Sequence, residues 1–236
     1  MFDAITPRYD LLNRLMSARR DVTWRRRIAK FLPNETQRVI DVATGTGDLA
    51  IAICRERDTA RVFGIDFVPR MLEFAAQKTK SSDIIQEDVS PHQSSPNLNR
   101  RISLTLGDAM HLPFVDRGFD AATIAFGLRN IPDKLEVLRE MARVVRSGGK
   151  VLVLEITFPR NLGMRRFFNW YLNRVIPIMG GLISGDRKAY RYLTDSIQDF
   201  LHPDELCDLF LQAGLIDVRS HPLTLGIAYI HEGTVE

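Results

Sequence analysis

The chain contains 236 residues, of which 45% are hydrophobic and 26% charged, and its formal net charge is +3. This length and balance predict a folded globular domain and exclude a disordered chain. The slight basic excess does not indicate nucleic-acid binding, and two cysteines are too few for a disulfide-stabilised scaffold.

Residues 1–33 precede the first strand and are predicted to form a helical cap. After this cap, apolar runs of strand length alternate with helical patterns. Strands are predicted at Arg38–Val42, Arg61–Asp66, Ile102–Leu106, Phe119–Phe126 and Lys150–Phe158, and helices at Asp48–Arg57, Pro69–Lys80 and Lys134–Arg146. Such alternation is typical of an α/β fold, in which crossover helices join parallel strands.

The first strand leads into a turn that contains Gly45 and Gly47, with Asp41 and Asp48 at its two ends. Together with Ala50, the glycines match the dinucleotide fingerprint G-x-G-x-x-A. A pyrophosphate requires positive potential at this point, whereas two carboxylates favour a cationic nucleoside such as S-adenosylmethionine. The turn therefore predicts a nucleoside site, with S-adenosylmethionine preferred over a dinucleotide.

Other polar residues follow later strands. Asp66 ends the second strand, 19 residues after Gly47, and an acid at this place accepts hydrogen bonds from ribose hydroxyls. Asp108 follows the third strand, and Gly127–Asn130 follows the fourth. Because the carboxyl ends of parallel strands meet at one edge, we expect these residues to line one site.

The polar, aperiodic stretch Ser81–Arg100 predicts an exposed insertion. Residues 159–200 predict a helical insertion on the substrate side, led by the aromatic helix Leu162–Ile176. This helix, which carries Arg165 and Arg166, is interpreted as a membrane-docking surface, a lid or a contact with a second copy. The chain closes with a predicted helix, Asp204–Gln212, and two strands expected to pair as an antiparallel hairpin, Leu215–Val218 and Leu223–Ile230.

Five groups of residues along the chain carry a more specific signature. They are Tyr9-Asp10 with Asn13, Ser17 and Trp24; Asp41–Asp48; Phe126–Asn130; Arg143–Lys150 with Leu154-Glu155; and Asp186 with Ala189–Leu193 and Ser196-Ile197. In these motifs the chain resembles class I S-adenosylmethionine-dependent methyltransferases and, more closely, the ubiquinone/menaquinone biosynthesis C-methyltransferase family. The resemblance covers nearly the whole chain.

The resemblance implies a single domain over residues 1–236. Its expected fold is an open, doubly wound, mostly parallel seven-stranded sheet with an antiparallel C-terminal edge strand and added N-terminal and late helices. S-adenosyl-L-methionine is the implied cofactor, and Ala125 stands where the family usually has a contacting serine. The predicted cofactor-binding residues are Asp41, Gly45, Thr46, Gly47, Asp66, Asp108, Ala109 and Ala125.

The implied reaction methylates a ring carbon of a prenylated hydroquinol, with demethylmenaquinol as the expected substrate and menaquinol as the product. The ring becomes nucleophilic when a phenol ionises, although a free phenol has a pKa near ~10. Arg129 is the candidate that stabilises the phenolate, with Asn130 and Tyr9 as hydrogen-bonding partners. The other interpretation makes Arg129 a structural residue that pairs with Asp133 or a strand end.

Alternative functions stay open at this point. Within the same class, the acceptor is a 2-polyprenyl-6-methoxy-benzoquinol of ubiquinone synthesis or another small phenol. The glycine fingerprint leaves a nicotinamide-dependent oxidoreductase open, and a non-catalytic nucleoside-binding regulator is a third alternative.

We expect no metal site, because the five histidines form no ligand pair at helical spacing. No apolar run reaches the roughly 18 residues of a membrane span, and the first residues lack a signal-peptide pattern. A cytoplasmic protein is therefore expected, with peripheral contact at the inner face of the cytoplasmic membrane as an open alternative. The expected partners are a prenylated quinol and, for the aromatic helix, a second copy, but no nucleic acid.

Overall fold

A computed structural model describes residues 14, 17, 19–87, 98–159, 161–175 and 194–236. Seven strands form one sheet: β1 (Arg38–Val42), β2 (Arg61–Asp66), β3 (Ile102–Leu106), β4 (Phe119–Ala125), β5 (Val145–Ile156), β6 (Leu215–Leu223) and β7 (Ala228–Val235). Their order across the sheet is β3-β2-β1-β4-β5-β7-β6. Strands β1 to β5 pair in parallel, whereas β7 pairs antiparallel with both β5 and β6.

Helices connect and cover these strands in the described part of the chain. They are α1 (Arg20–Phe31), α2 (Asp48–Glu56), α3 (Pro69–Glu87), α4 (Leu98–Arg101), α5 (Lys134–Val144), α6 (Leu162–Trp170) and α7 (Pro203–Gln212). Short 3₁₀ turns occur at Leu128–Asn130 and Thr224–Gly226, and one π-helical turn, Tyr171–Val175, extends α6. None of the described helices is long and apolar enough to cross a bilayer.

The core lies on both faces of the sheet. Val39 of β1 packs in a cluster with Ile28 of α1 and Ile53 of α2, whereas the next residue, Ile40, packs in a second cluster that includes Leu138 of α5. Successive side chains of a strand point to opposite faces, so both faces of β1 are covered. This arrangement buries the central strands completely and leaves their carboxyl ends as the accessible edge.

The predicted fold class and seven-stranded sheet are confirmed, but one detail is wrong. The antiparallel strand β7 lies between β5 and β6 and is not an edge strand. Ala228, Ile230 and His231 of β7 are buried, whereas β6 is buried only at its two ends, Leu215 and Leu223. The alternation of apolar residues identifies strands but does not specify their order, and here the better buried strand takes the interior place.

The stretch Ser81–Arg100 differs at both ends from the irregular insertion that its composition predicts, and residues 88–97 lie outside the described residues. Helix α3 continues into this stretch as far as Glu87. Leu98 begins α4 and is fully buried in the core cluster on that face. The apolar side chain of Leu98 therefore ties the end of the stretch to the sheet, which a local average of polarity does not reveal.

Candidate functional site

The conformation of the turn after β1 depends on the two glycines and on the close approach of α3. Gly45 and Gly47 have φ values of 58° and 80°, which favour glycine. A Cβ atom on Gly47 would lie 3.2 Å from Cβ of Ala75, whereas nothing lies within 4 Å of the corresponding position on Gly45. The turn is therefore packed on the α3 side and open at Gly45, where a ligand can approach the backbone.

Asp66 joins the end of β2 to this turn. Its Oδ2 accepts a hydrogen bond from the Gly45 amide at 2.7 Å, and its Oδ1 accepts one from the Val68 amide at 2.9 Å. Burial raises the pKa of the Asp66 carboxyl, although these amides and that of Phe67 oppose the shift. The carboxylate is thus oriented by the backbone and lies in the lining of a large cavity.

This main cavity has a volume of about 530 Å³ and lies at the carboxyl ends of β1 to β4. A volume of this size is typical of small-molecule sites. Of the predicted site residues, Gly45, Asp66, Asp108, Ala109, Ala125 and Asn130 line it. Among the described residues in its lining are two aspartates but no lysine and no arginine. The cavity therefore suits a cationic ligand better than a pyrophosphate.

Asp41 lies beneath the turn, in a narrow space of about 20 Å³ that shares Gly45 and Ala125 with the main cavity. Thr44 and Thr123 donate hydrogen bonds to its two oxygens at 2.6 and 2.9 Å. Burial nevertheless raises the pKa of Asp41 to about 6. Its carboxylate thus holds the turn against β4 and does not face the main cavity directly.

Asp48, the acid at the other end of the turn, is paired with two cations. Lys78 Nζ lies 2.7 Å from Asp48 and also donates to Thr46 Oγ1, while Arg25 lies 3.7 Å from the carboxylate. Burial opposes ionisation of Asp48, but Arg25 and Lys78 hold the pKa of its carboxyl below the usual range. The preference for a cationic ligand therefore depends on Asp66 and Asp108, which line the main cavity.

The third strand contributes Asp108. Its Oδ1 accepts a hydrogen bond from the Met110 amide at 2.9 Å, and its Oδ2 lies 3.5 Å from Nδ1 of the exposed His111. Asp108 and Ala109 both line the main cavity, opposite the turn. The carboxylate is therefore oriented by its own loop and keeps acceptor capacity toward the cavity.

The lining of the main cavity also contains apolar residues that the sequence motifs did not identify. Phe67, directly after Asp66, is 76% exposed although it is a large aromatic residue. Val68, Met71 and Met110 lie beside it in the lining. An exposed aromatic side chain offers a flat surface for a nucleobase, and the position of Phe67 one residue after Asp66 is the signal that could have identified it.

Arg129 forms a buried ion pair with Glu155 of β5, and both side chains are almost inaccessible. The Arg129 amide also donates to Glu155 Oε2 at 3.3 Å. The predicted alternative partner, Asp133, instead caps α5 by accepting from the Glu136 amide. Of the two structural partners predicted for Arg129, Asp133 is wrong, whereas the strand end is confirmed, because Glu155 lies one residue before the end of β5. The catalytic role of Arg129 stays a prediction.

The ion pair adjoins the main cavity through its neighbours. Asn130, the residue after Arg129, lines the cavity, and Nε of Arg129 is buried with no hydrogen-bond partner among the described residues. Arg129 itself does not line the cavity, so its Nε can meet an acceptor on a bound molecule only if the side chains between them shift. Tyr9, the third predicted catalytic residue, lies outside the described residues.

Helix α1 covers the site from the side of β4 and β5. The Trp24 ring lies 6.2 Å from that of Phe126, and the Arg25 guanidinium lies 5.1 Å over the same ring. Arg25 also pairs with Asp21 at 2.5 Å. Arg25 and Lys78 are functional candidates that the motifs did not reveal, because their contacts join helices distant in sequence.

Comparisons with known proteins agree on a family. The model of the ubiE/COQ5 methyltransferase family matches residues 1–235. A demethylmenaquinone methyltransferase from Thermus thermophilus is 41% identical over 234 residues, which cover 99% of each chain. A ubiquinone/menaquinone biosynthesis C-methyltransferase UbiE from Geotalea daltonii is 38% identical over 237 residues, which cover 99% of this chain and 94% of the relative.

The fold also matches a solved structure. A SAM-dependent methyltransferase from Thermotoga maritima superposes with a TM-score of 0.64 and 19% sequence identity. The match covers 100% of this chain and 98% of that protein. This similarity supports the class I methyltransferase fold of the seven-stranded sheet.

Proposed function

Because the chain belongs to the ubiE/COQ5 methyltransferase family, we propose that it methylates demethylmenaquinol to menaquinol with S-adenosyl-L-methionine as the methyl donor. The chain is a methyltransferase, so the nicotinamide-dependent oxidoreductase suggested by the glycine fingerprint is excluded. The Thermus thermophilus relative acts in menaquinone synthesis by its name, which favours a naphthoquinol over the benzoquinol of ubiquinone synthesis.

One observation carries the cofactor assignment: the main cavity has two aspartates and no lysine or arginine among its described lining residues. Asp66 would bind the ribose hydroxyls through the oxygens that its backbone contacts leave available. Asp108 would accept a hydrogen bond from the adenine amino group, and Phe67 would pack against the base. S-adenosylmethionine has no phosphate, so binding of its nucleoside part does not require a cation in the cavity lining.

When bound, S-adenosylmethionine supplies an electrophilic methyl group on a sulfonium. The ring carbon would form a bond to this methyl as the carbon–sulfur bond breaks, with the electron pair staying on sulfur. The ring carbon would then release its proton to solvent, which would restore the aromatic ring. The protein forms no bond in this sequence, so its contribution is to position the ring and stabilise the phenolate.

We assign this contribution to Arg129 and Asn130. Glu155 compensates the charge of Arg129, so the guanidinium acts as an oriented hydrogen-bond donor and not as a free cation. Its Nε has no hydrogen-bond partner among the described residues and would donate to the phenolate oxygen once the residues that bury it shift. The Asn130 side chain lies in the cavity lining and would orient the second ring oxygen. Tyr9 is proposed as a third hydrogen-bonding group.

The test measures methyl transfer from labelled S-adenosylmethionine to reduced and oxidised naphthoquinones and benzoquinones. We expect turnover on the reduced naphthoquinol, weaker turnover on the benzoquinol and none on the oxidised rings. Equal turnover on oxidised and reduced rings would contradict phenolate activation. Thermal melting adds an independent control, because S-adenosylhomocysteine should raise the melting temperature and NAD should not.

A further inference from the structure

A second cavity, of about 220 Å³, lies between α1, α6 and the β6–β7 turn. Its lining is largely apolar and includes Trp24, Ile156, Phe168, Leu172, Ile197 and Ile227. Ile156 ends β5 and pairs with Ala228, the first residue of β7. The cavity therefore opens at the same edge of the sheet as the main cavity, but beside different strands.

The two cavities share a wall. Phe126 lines the main cavity and Trp24 lines the second, and the centroids of the two rings are 6.2 Å apart. Ile156 directly follows Glu155, the partner of Arg129, but successive side chains of a strand point to opposite faces of the sheet. The contact between Phe126 and Trp24 is therefore the link between the two cavities.

The outer end of the second cavity is marked by exposed aromatic residues. Phe167 lines the cavity, yet 55% of its surface is exposed, and Trp170 is equally exposed with its ring 6.0 Å away. Two large aromatic side chains exposed beside an apolar cavity mark a site where an apolar ligand enters. The remaining wall, near Trp24, is tied down by a hydrogen bond from its Nε1 to Thr224 Oγ1 at 2.9 Å.

We infer that this second cavity binds the part of the prenyl chain nearest the quinol ring; the inference rests on the proposed function. The ring lies in the main cavity, and the Trp24 and Phe126 rings, each 4% exposed, move apart to admit the first isoprene units to the apolar space. The rest of the chain leaves past Phe167 and Trp170. Burial of hydrocarbon gives this binding its free energy, so the subsite selects prenylated over unprenylated acceptors.

The test compares two reduced naphthoquinols, one with a tail of two isoprene units and one without a tail. The tail is kept this short so that both acceptors are soluble. For the wild type we expect kcat/KM to be at least roughly tenfold higher for the prenylated acceptor. The substitution Ile227→Trp fills the cavity from a half-buried position. It should bring the ratio of the two kcat/KM values close to one, chiefly through a higher KM for the prenylated acceptor.

The matched control is Leu211→Trp, which adds the same ring at an exposed position of α7 and should preserve the wild-type ratio. If Ile227→Trp does not fold, Ile227→Phe fills less of the space and carries the same comparison. A wild type without preference for the prenylated acceptor, or a preference that survives both Ile227 substitutions, would overturn the inference. A wild type that methylates neither acceptor would instead contradict the proposed function.

Discussion

Two regions of the same sheet edge are built in different ways. At the ends of β1 to β3, each aspartate of the site accepts a hydrogen bond from its own loop: Asp41 from Thr44, Asp66 from Val68 and Asp108 from Met110. Asp41 and Asp66 also accept one from a more distant residue, Thr123 and Gly45 respectively. At the end of β5 and the β6–β7 turn, the contacts join distant segments, as in the hydrogen bond from Trp24 to Thr224, 200 residues away.

This difference indicates how substitutions in each half of the site will affect the protein. Each of these carboxylates has one partner within three residues of it in sequence, so this part of the cofactor region is encoded in short motifs. The acceptor region depends on α1, α6 and the β6–β7 turn meeting in space. We therefore expect substitutions in the first region to act on cofactor binding, and those in the second to act on stability and acceptor binding together.

The largest expected effect lies at the boundary of the two regions. Arg129→Ala leaves the Glu155 carboxylate buried and unpaired, so the free energy of unfolding should fall by about 3–5 kcal/mol, measured by urea denaturation. Methyl transfer should fall by about 100-fold or more, because the phenolate loses its donor.

A double variant separates these two effects. Arg129→Met with Glu155→Leu replaces the ion pair by apolar side chains, which should restore stability to near the wild-type value. The rate of methyl transfer should stay as low as in Arg129→Ala. If the double variant methylates as fast as the wild type, Arg129 is structural and the proposed phenolate contact is wrong.

The next largest effect is a pH dependence of opposite sign in the two regions. Burial raises the pKa of Asp41 from 3.8 to about 6, so the stability linked to this group is present below pH 3.8 and lost as the pH rises through 6. Burial lowers the pKa of His231 in β7 from 6.5 to about 4. The stability linked to His231 is present above pH 6.5 and lost as the pH falls through 4.

Each group should change the free energy of unfolding by about 3 kcal/mol across its window. Relative to the wild type, Asp41→Asn should gain stability as the pH rises from 4 to 6.5, and His231→Gln should gain it as the pH falls over the same range. Urea denaturation at several pH values measures both. Stability curves that run parallel to the wild type would show that the two groups do not titrate on folding.

A smaller effect is confined to the cofactor region. Asp66→Ala removes a charged acceptor, worth about 1.5–3 kcal/mol, so the Kd for S-adenosylhomocysteine should rise by about 10- to 100-fold in calorimetric titrations. Asp58→Ala, in an exposed loop, is the matched control and should bind like the wild type. Unchanged affinity in Asp66→Ala would remove this carboxylate from the cofactor site.

The smallest effect concerns the long-range contact of the acceptor region. Trp24→Phe keeps a ring near Phe126 but loses the hydrogen bond to Thr224, which should lower the free energy of unfolding by about 1 kcal/mol. A double-mutant cycle with Thr224→Val measures the coupling directly. A coupling energy near zero would mean that this hydrogen bond does not hold α1 against the β6–β7 turn.

Sequence patterns alone were sufficient for the first half of the molecule. The bounds of β1, β2 and β3 match the predicted strands, because buried strands bounded by turns leave a clear local signal. The structure places Gly45, Asp66, Asp108, Ala109, Ala125 and Asn130 in one cavity, as their position after parallel strands predicts. Their roles in cofactor and acceptor binding stay predictions.

Only the tertiary structure decided the rest. The interior place of β7, the neutralisation of Asp48 by Lys78 and Arg25, and the pairing of Arg129 with Glu155 all join segments that no local pattern relates. The physical reason is the distance along the chain over which each kind of signal acts. Alternation of apolar residues and glycine-rich turns report on a few neighbouring residues, whereas a buried ion pair or an apolar cavity depends on which distant elements pack together. The sequence by itself determined the α/β fold and the carboxyl edge at which a nucleoside would bind; the packing of α1, α6 and β7 determined the shape and charge of the space around that edge.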